Sequence, residues 1–412
     1  MFPKQVTRKE YVWIIILSCV MTAIISFRTE LLTEGNPDFT YPWDHPKYIF
    51  MAEHPFQFHL APFSWRIINP LIASILPFSL QFNFFIISFC SVAVTGLLIY
   101  LLLKSTGSDI IVSSIGVLIF YSTVWATKWP LYDFWLTDGM VMMFMTAMIV
   151  QIIKNKETGF LILLSIGVLL KESALLALPL HYTLHARRIF DSRALRRTFL
   201  LSIPAIAILA TVRISIPAQN NDPLYVASLG KSLRIEYPDH SVPGKAIIRD
   251  EITMLPSGVH YSYIAMAKKI GWNRLVHLKL VDVQIMTVRT FGVATLVLAL
   301  FGCIAKKELI LRYMPFILLV YFQLAFSVNT ERVLIIALPA IIILAATGIK
   351  FLLERKYIDY RIVLLIFSLI ILLNLKNTSP TPYMYGMEWF IVCSTIIAVV
   401  TIREFYLRRR TQ

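Results

Sequence analysis

Long apolar stretches separated by short polar segments run through the whole chain. An apolar stretch of about 20 residues is enough to cross the hydrocarbon core of a bilayer as a helix. Candidate spans on this criterion are residues 12–27, 82–103, 110–126, 138–153, 198–216, 283–305, 309–328, 333–353, 361–375 and 388–402. The pattern predicts an all-α polytopic membrane protein with about ten full spans.

The apolar stretch 160–185 is interrupted at its middle by Lys171 and Glu172. A single helix would bury this ionic pair near the bilayer centre, at a cost of several kcal/mol. We therefore predict a short helical hairpin whose two arms meet at Lys171 and Glu172. With this hairpin and a cytoplasmic N-terminus, the inside segments hold 22 Lys and Arg residues, against 9 in the short outside segments. That asymmetry is what the positive-inside rule predicts, and it makes both termini cytoplasmic.

Three polar regions on the predicted outer side are not spans. The first outer loop, 28–81, contains an acidic run and apolar stretches broken by proline, which predicts helices lying at the membrane interface. The second outer loop, 217–282, is too short and proline-broken to be predicted as a separate domain. The third region is the polar tip 380–387.

The composition excludes a soluble globular protein. Hydrophobic residues make up 57% of the chain and charged residues 15%, with a mean hydropathy of +0.70, whereas a soluble domain carries about a quarter charged residues. The net charge of +15 would suggest nucleic acid as a partner of a soluble protein. Here the positive-inside rule accounts for it, so no nucleic-acid partner is predicted.

Ionisable residues lie at the predicted outer ends of several spans. They come from five segments: Asp44 and His45, Arg66, Asp133 and Asp138, Lys171 and Glu172, and Glu331 and Arg332. Each also has a structural interpretation; for example, Asp138 suits the positive N-terminal end of its helix. Charged residues inside apolar stretches are nevertheless candidates for function by default.

Motifs for soluble enzymes and for metal binding are missing from the sequence. It contains no GxGxxG, P-loop, HExxH, GxSxG or CxxC pattern. His181 and His185 share one helix face but lack a third ligand. We therefore predict no metal ligands and identify no certain cofactor; a divalent metal is left open, although the ligand spacing does not support one.

The order of these charged segments resembles the GT-C superfamily of integral-membrane glycosyltransferases. The resemblance covers about residues 10–355 and ends in an E-R-x6-P segment. Its motifs are the Asp-x-x-x-Tyr pattern of Asp44 and Tyr48, the segment WRIINPLIASIL with Arg66, Asp138 at the start of a span, the G-x-x-x-K-E hairpin of Gly167, Lys171 and Glu172, and Glu331, Arg332 and Pro339.

The resemblance implies a reaction and a site. Members of the superfamily take a sugar from a polyprenyl-phosphate carrier and transfer it on the extracytoplasmic face, with an acidic residue of the first outer loop near the acceptor. It therefore implies a catalytic unit over 1–353, followed by C-terminal helices in 354–412. Asp44 is the implied catalytic base, and Asp138 is the next candidate. The sequence departs from the family pattern at two points. Several branches have an adjacent acidic pair, whereas here His45 follows Asp44, and the large C-terminal soluble domain of the oligosaccharyl branch is missing. These departures leave metal dependence and subfamily open.

Elementary chemistry adds substrate-binding residues to that site. A donor phosphate needs cationic partners, which Arg66, Lys171 and Arg332 could supply. The predicted substrate-binding set is His45, Tyr48, Arg66, Lys171, Glu172, Glu331 and Arg332. The predicted partners are a polyprenyl-phosphate-linked sugar donor, a glycan, lipid or protein acceptor, and the lipid bilayer.

Two other functions fit the same features of the sequence. A polysaccharide polymerase or O-antigen ligase also acts on lipid-linked substrates at the outer face. A lipid-linked sugar flippase or transporter would bind similar lipids, although it needs alternating access around charges near the midplane. In each case the predicted location is the bacterial inner membrane, with the site on the extracytoplasmic side.

Overall fold

The computed structural model describes residues 6–40, 44–56, 58, 62–216, 279–325 and 330–378. Nearly all of the second outer loop, the polar tip 380–387 and the predicted span 388–402 lie outside these residues. The part of the chain that is described has α-helices and short 3-10 turns as its regular structure, as the hydropathy pattern predicts.

The first half of the chain contains nine helices within the described ranges. They are α1 (Arg8–Phe27), α2 (His45–Glu53), α3 (Ile68–Ile75), α4 (Leu80–Ser105), α5 (Ile110–Ser122), α6 (Val124–Tyr132), α7 (Asp138–Ile153), α8 (Glu157–Leu170) and α9 (Ala177–His185). The second half adds α10 (Ser192–Ser215), α11 (Leu280–Phe291), α12 (Val293–Ala305), α13 (Lys307–Phe322), α14 (Thr330–Leu334), α15 (Leu338–Glu354) and α16 (Tyr360–Lys376).

Four helical stretches are long and apolar enough to cross a membrane. They are α1, α4, α10 and the run Thr330–Glu354, which contains α14 and α15. Two bent pairs, α5 with α6 and α11 with α12, raise the number to six if each pair counts as one span. The described residues therefore contain four to six candidate spans, and the predicted count of ten is not confirmed. One reason is length, because α7 and α13, which lie in the predicted spans 138–153 and 309–328, contain only 16 residues each.

The predicted span 283–305 is not one straight helix. Its two halves, α11 and α12, meet at a bend of 100°. Gly292 lies between them with φ 77° and ψ 150°. Residues other than glycine rarely adopt this backbone conformation. Hydropathy could not reveal this bend, because both halves are apolar.

The chain reverses direction between α8 and α9. Lys171 adopts extended backbone angles that end α8, and a 3-10 turn over 172–176 leads into α9. Phe160 near the start of α8 stacks on His181 near the end of α9, with ring centroids 5.1 Å apart. His185 Nε2 lies 2.9 Å from Asn155 Oδ1. The structure thus has a helical hairpin with Lys171 at its tip, where the sequence predicts one.

The centre of the bundle is the close crossing of α12 and α15. A Cβ atom added at Gly302 would overlap the carbonyl oxygen of Leu344, and one added at Gly348 would overlap that of Leu298. In the run Thr330–Glu354, 89% of the apolar window is buried inside the protein. This run is therefore the central helix of the described bundle.

The first outer loop forms a small core of its own against the ends of the bundle. Its short helices α2 and α3 bury Tyr48 and Ala73 together with Phe84 of α4 and Trp135. Asn69 Nδ2 donates hydrogen bonds to the backbone carbonyls at positions 135 and 136. The two helices occur where the sequence predicts interfacial helices, and their position at a membrane interface stays a prediction.

The helix ends gather at two opposite ends of the bundle. At one, Lys104 Nζ of α4 lies 3.5 Å from a carboxylate oxygen of Glu10 in α1. At the other, Arg28 after α1 donates to the carbonyl of Leu375, and Lys128 Nζ of α6 donates to that of Asn374, 3.0 Å away. We call this second end the site end. It fixes α16, the described helix of the predicted C-terminal unit 354–412, against the bundle, while the boundary near 353 stays a prediction.

Candidate functional site

Asp138 links three separate elements at the site end. Its side chain is at the first position of α7, where the helix dipole favours negative charge. Oδ1 accepts from Lys171 Nζ at 3.2 Å, and Oδ2 accepts from Arg332 Nε at 2.6 Å. The Asp138 side chain is only 7% exposed, and a buried charge is tolerated when it is paired in this way. The hairpin tip, α7 and α14 are thus tied together by charge.

Asp44 continues this network towards the first outer loop. Arg332 Nη1 lies 3.3 Å from Asp44 Oδ2, and Lys47 Nζ lies 3.2 Å from Asp44 Oδ1. Burial raises the pKa of Asp44, but the charges of Lys47 and Arg332 outweigh burial and bring the pKa well below its ordinary value. Asp44 is therefore ionised at neutral pH, which is the form a general base needs.

Arg66 and Glu172 form a second ionic group beside the hairpin tip. Arg66 Nη2 lies 3.3 Å from Glu172 Oε2, and Arg213 Nη2 lies 3.8 Å from Glu172 Oε1. The Cζ atom of Arg213 is 4.5 Å from the ring centroid of Trp65. The indole N–H of Trp65 donates to the carbonyl of Ile216 at 3.0 Å. Arg66 is thus placed within the site, although the sequence left it equally suited to reach lipid phosphates.

The remaining predicted substrate-binding residues occupy different positions. The buried phenol of Tyr48 hydrogen-bonds with Arg66. His45 is 0% exposed, its Nε2 donates to the carbonyl of Phe39, and burial lowers its pKa to about 4. Glu331 accepts a hydrogen bond from Thr330 Oγ1. The described contacts therefore place Tyr48 among the ionic residues, whereas those of His45 and Glu331 are with Phe39 and Thr330.

Three charged residues at this site are missing from the predicted set. Lys47 follows Asp44 by three positions, a helical spacing that could have revealed it. Arg213 lies near the end of a predicted span, where the sequence gives no signal that links it to Glu172. Asp133 is 1% exposed in the turn between α6 and α7, and burial raises its pKa well above the ordinary value.

The ionic residues of this site form a mixed cluster with an excess of positive charge. The cations are Lys47, Arg66, Lys171, Arg213 and Arg332, and the carboxylates in contact with them are those of Asp44, Asp138 and Glu172. Such an excess suits an anionic ligand. Within the described ranges, His, Cys, Asp and Glu form no group of three that could hold a metal ion. Arg332 contacts both Asp44 and Asp138.

Comparisons with known proteins give matches among solved structures only. No protein-family model and no curated protein matches the chain. Among solved structures, the chain is similar to the crystal structure of the oligosaccharyltransferase of Archaeoglobus fulgidus tethered to an acceptor peptide containing the NVT sequon. The identity is 10% and the TM-score 0.48, over 92% of this chain and 56% of that one. This chain therefore matches little more than half the length of that structure, and its function has to be inferred from its own contacts.

Proposed function

We propose that this protein transfers a sugar from a polyprenyl-phosphate carrier to an acceptor at the site end. The observation that carries the proposal is the placement of Lys171 and Arg332 on either side of Asp138. The Lys171 ammonium has three donors and the Arg332 guanidinium five, more than their contacts with Asp138 and Asp44 use. Both groups can therefore donate to a phosphate without leaving their carboxylates.

The same residues suit the two halves of a displacement at the anomeric carbon. Asp44 is ionised and takes the proton of an acceptor hydroxyl while the hydroxyl oxygen attacks. Lys171 and Arg332 stabilise the negative charge that develops on the departing phosphate. Arg66, which contacts both Tyr48 and Glu172, extends this positive surface towards the first outer loop. One carboxylate and one cationic clamp suffice for the reaction.

A lipid-linked donor agrees with the surroundings of the site. The described chain offers four to six apolar helical stretches for the bilayer, and a polyprenyl chain dissolves in that same medium. A phosphate attached to the prenyl chain then lies at headgroup level. The charged residues of the site end lie at the ends of apolar helices, which is the depth at which the donor phosphate would lie.

The position of the charges favours transfer over transport. A transporter requires a binding site near mid-membrane that is reached alternately from both sides. Here Asp44, Asp138, Lys171 and Arg332 are all at one end of the bundle. A polymerase or ligase would use the same type of donor, and only the product distinguishes it from a transferase of single sugars.

The test is a reconstitution with defined donors. The protein is placed in liposomes with polyprenyl-phosphate hexoses or pentoses carrying a radiolabelled sugar and with an extract of bacterial envelope glycans and glycolipids. We expect release of polyprenyl phosphate together with a labelled product, whose mass reports one added sugar or a joined chain. Movement of the donor across the bilayer without release would instead show a flippase, and no release from any donor would contradict the proposal.

Lys171→Ala is the matched test of the clamp, and Lys156→Ala is its control. The two lysines flank the same helix α8, but Lys156 is exposed at the end far from the site. Loss of a charge-assisted hydrogen bond to phosphate should weaken donor binding by about 2 kcal/mol, close to a 30-fold rise in Kd for polyprenyl phosphate. Lys156→Ala should leave Kd unchanged. Equal affinities of the two variants would remove Lys171 from the site.

A further inference from the structure

Asp133 is a buried carboxyl group that the proposed reaction does not yet use. Its backbone N–H donates to the carbonyl of Trp129 at the end of α6, at 3.0 Å. The residue is 1% exposed, and its Oδ1 atom has no hydrogen-bond partner among the residues that the structure describes. Leaving a buried polar atom unsatisfied is costly. A place in the chemistry of the neighbouring site would account for it.

Charged groups from three other elements act electrostatically on Asp133. Arg332 of α14, Asp44 before α2 and Asp138 of α7 all act electrostatically on its carboxyl. On its own element, Asp133 acts in the same way on the neighbouring Tyr132. The side chain of Trp129, one helical turn earlier, has its ring centroid 6.0 Å from Cζ of Arg332. The end of α6 therefore faces the guanidinium that would hold the donor phosphate.

The environments of Asp44 and Asp133 shift their pKa values in opposite directions. Asp44 is thereby suited to act as a base and Asp133 as an acid. Asp44 contacts two cations, which bring its pKa below the ordinary value despite burial. Burial raises the pKa of Asp133, Arg332 lowers it, and the charges of Asp44 and Asp138 raise it further. When two carboxyl groups in one site are driven apart in this way, the ionised group suits the base and the neutral group suits the acid.

We propose that Asp133 is the general acid of the transfer reaction and protonates the departing phosphate beside Arg332. The inference rests on the proposed function and adds a second carboxyl group to it. In the same turnover, Asp44 would receive a proton because it is ionised, and Asp133 would give a proton because it is neutral.

The proton balance of this step closes without an added reactant. The acceptor oxygen forms its bond to the anomeric carbon as its proton passes to Asp44. The bond between the anomeric carbon and the phosphate oxygen breaks, and the electron pair stays on that oxygen. Asp133 gives its proton to this oxygen, so that the lipid phosphate leaves as a monoanion. Transfer of the proton from Asp44 to Asp133 through solvent restores both groups.

The pH dependence of transfer follows from the state of Asp133. Below its raised pKa the group holds its proton and the acid is present; as pH rises through that pKa the proton is lost and the rate falls. Asp133→Asn cannot give a proton, so its kcat should be lower by about 100-fold, with little change in KM and without the alkaline fall. Asp133→Glu should keep the alkaline fall and recover part of the rate.

Asp38→Asn is the matched control for these variants. Asp38 accepts a hydrogen bond from Tyr132, the residue next to Asp133, but takes no part in the proposed reaction. This variant should keep the wild-type rate and pH profile. Infrared difference spectra give a second readout, since the C=O stretch of a protonated carboxyl group at neutral pH should vanish in Asp133→Asn and persist in Asp38→Asn.

The results separate this inference from the proposed function. If wild-type protein transfers sugar and Asp133→Asn keeps its rate and pH profile, the acid is overturned and the transferase stands. If the infrared band is missing from the wild-type protein, the acid is overturned whatever the activity. If the wild-type protein releases phosphate from no donor, both the transferase and its acid are overturned.

Discussion

At the scale of single residues, Asp44 and Asp138 each contact two cations, and both contact Arg332 from a distant part of the sequence. Asp138 contacts Lys171 and Arg332, and Asp44 contacts Lys47 and Arg332. Burying any of these charges alone would cost several kcal/mol, whereas burying them as a connected set is tolerated. The network therefore fixes the positions of the charges that a reaction needs.

Asp44→Asn tests the base directly. The amide keeps the size of the side chain but cannot take a proton at neutral pH, so transfer should fall by about 100-fold. Affinity for polyprenyl phosphate should not fall, because the change removes a negative charge beside Arg332 and Lys47. Initial rates of phosphate release and equilibrium binding measure the two effects separately. Asp38→Asn, in the same loop, should keep full activity, and the opposite ranking of the two variants would show that the base is Asp38.

Several charged residues that the structure brings together are ones that the sequence singled out, because a charge is costly within or next to an apolar stretch. Lys171, Glu172 and Asp138 interrupt or begin apolar stretches, and this anomaly drew attention to them. Asp133 has the same kind of signal, yet the sequence does not show that its Oδ1 atom is buried without a hydrogen-bond partner among the described residues, because this depends on how α6 ends against α14. Arg213 could not be predicted as a contact of Glu172, because the pairing depends on where two helix ends meet in space.

At the scale of elements, hydropathy predicts that a helix exists better than it predicts its shape. The helices α7 and α8 are about 24 and 21 Å long at 1.5 Å per residue, shorter than the roughly 30 Å hydrocarbon core. The predicted bounds 138–153 already give the length of α7. The bend at Gly292 is not visible in the hydropathy pattern, because backbone conformation, and not polarity, ends α11.

Gly348→Ala tests the crossing of α12 and α15. The added methyl group would overlap the carbonyl oxygen of Leu298, so the two helices would have to separate, at a cost of about 1–3 kcal/mol. Alanine has a higher helix propensity than glycine by about 1 kcal/mol, which acts in the opposite direction. The sign of the change in Tm therefore shows which of the two effects is larger. We expect a lower Tm for the purified protein in detergent.

Gly35→Ala is the control for this substitution. No heavy atom lies within 4 Å of a Cβ placed there, so its Tm should match that of the wild-type protein. A Tm of Gly348→Ala at or above the wild-type value would show that α12 and α15 are not in backbone contact.

At the scale of the whole molecule, the two ends of the bundle differ in charge. The turns far from the site carry many of the basic residues, including Lys154, Lys156, Arg187, Arg188, Arg193, Arg196, Arg197, Lys306 and Lys307. At the site end, acidic and basic residues are mixed. The positive-inside rule then predicts that the site end is extracytoplasmic.

Cysteine labelling in intact cells tests this orientation. The background replaces Cys19, Cys90, Cys303 and Cys393 by serine. Single cysteines then replace Gly35, exposed at the site end, or Ser192, exposed at the start of α10 at the other end. A membrane-impermeant thiol reagent should modify the first variant and spare the second until the cells are opened. Labelling of the second variant alone in intact cells would place the site in the cytoplasm.

The carboxylates around Lys171 and Arg332 also act as resident counter-ions, and this has a consequence for selectivity. A bilayer presents phosphodiester headgroups in large excess over any lipid-linked sugar, and a bare pair of cations would be occupied by them. With Asp138 already in contact with both cations, an ordinary headgroup gains little by competing for them. We expect net binding only from a ligand whose sugar makes further contacts in addition to those of its phosphate. If the site binds the proposed donor, we expect these salt bridges to disfavour lipids that offer a phosphate alone.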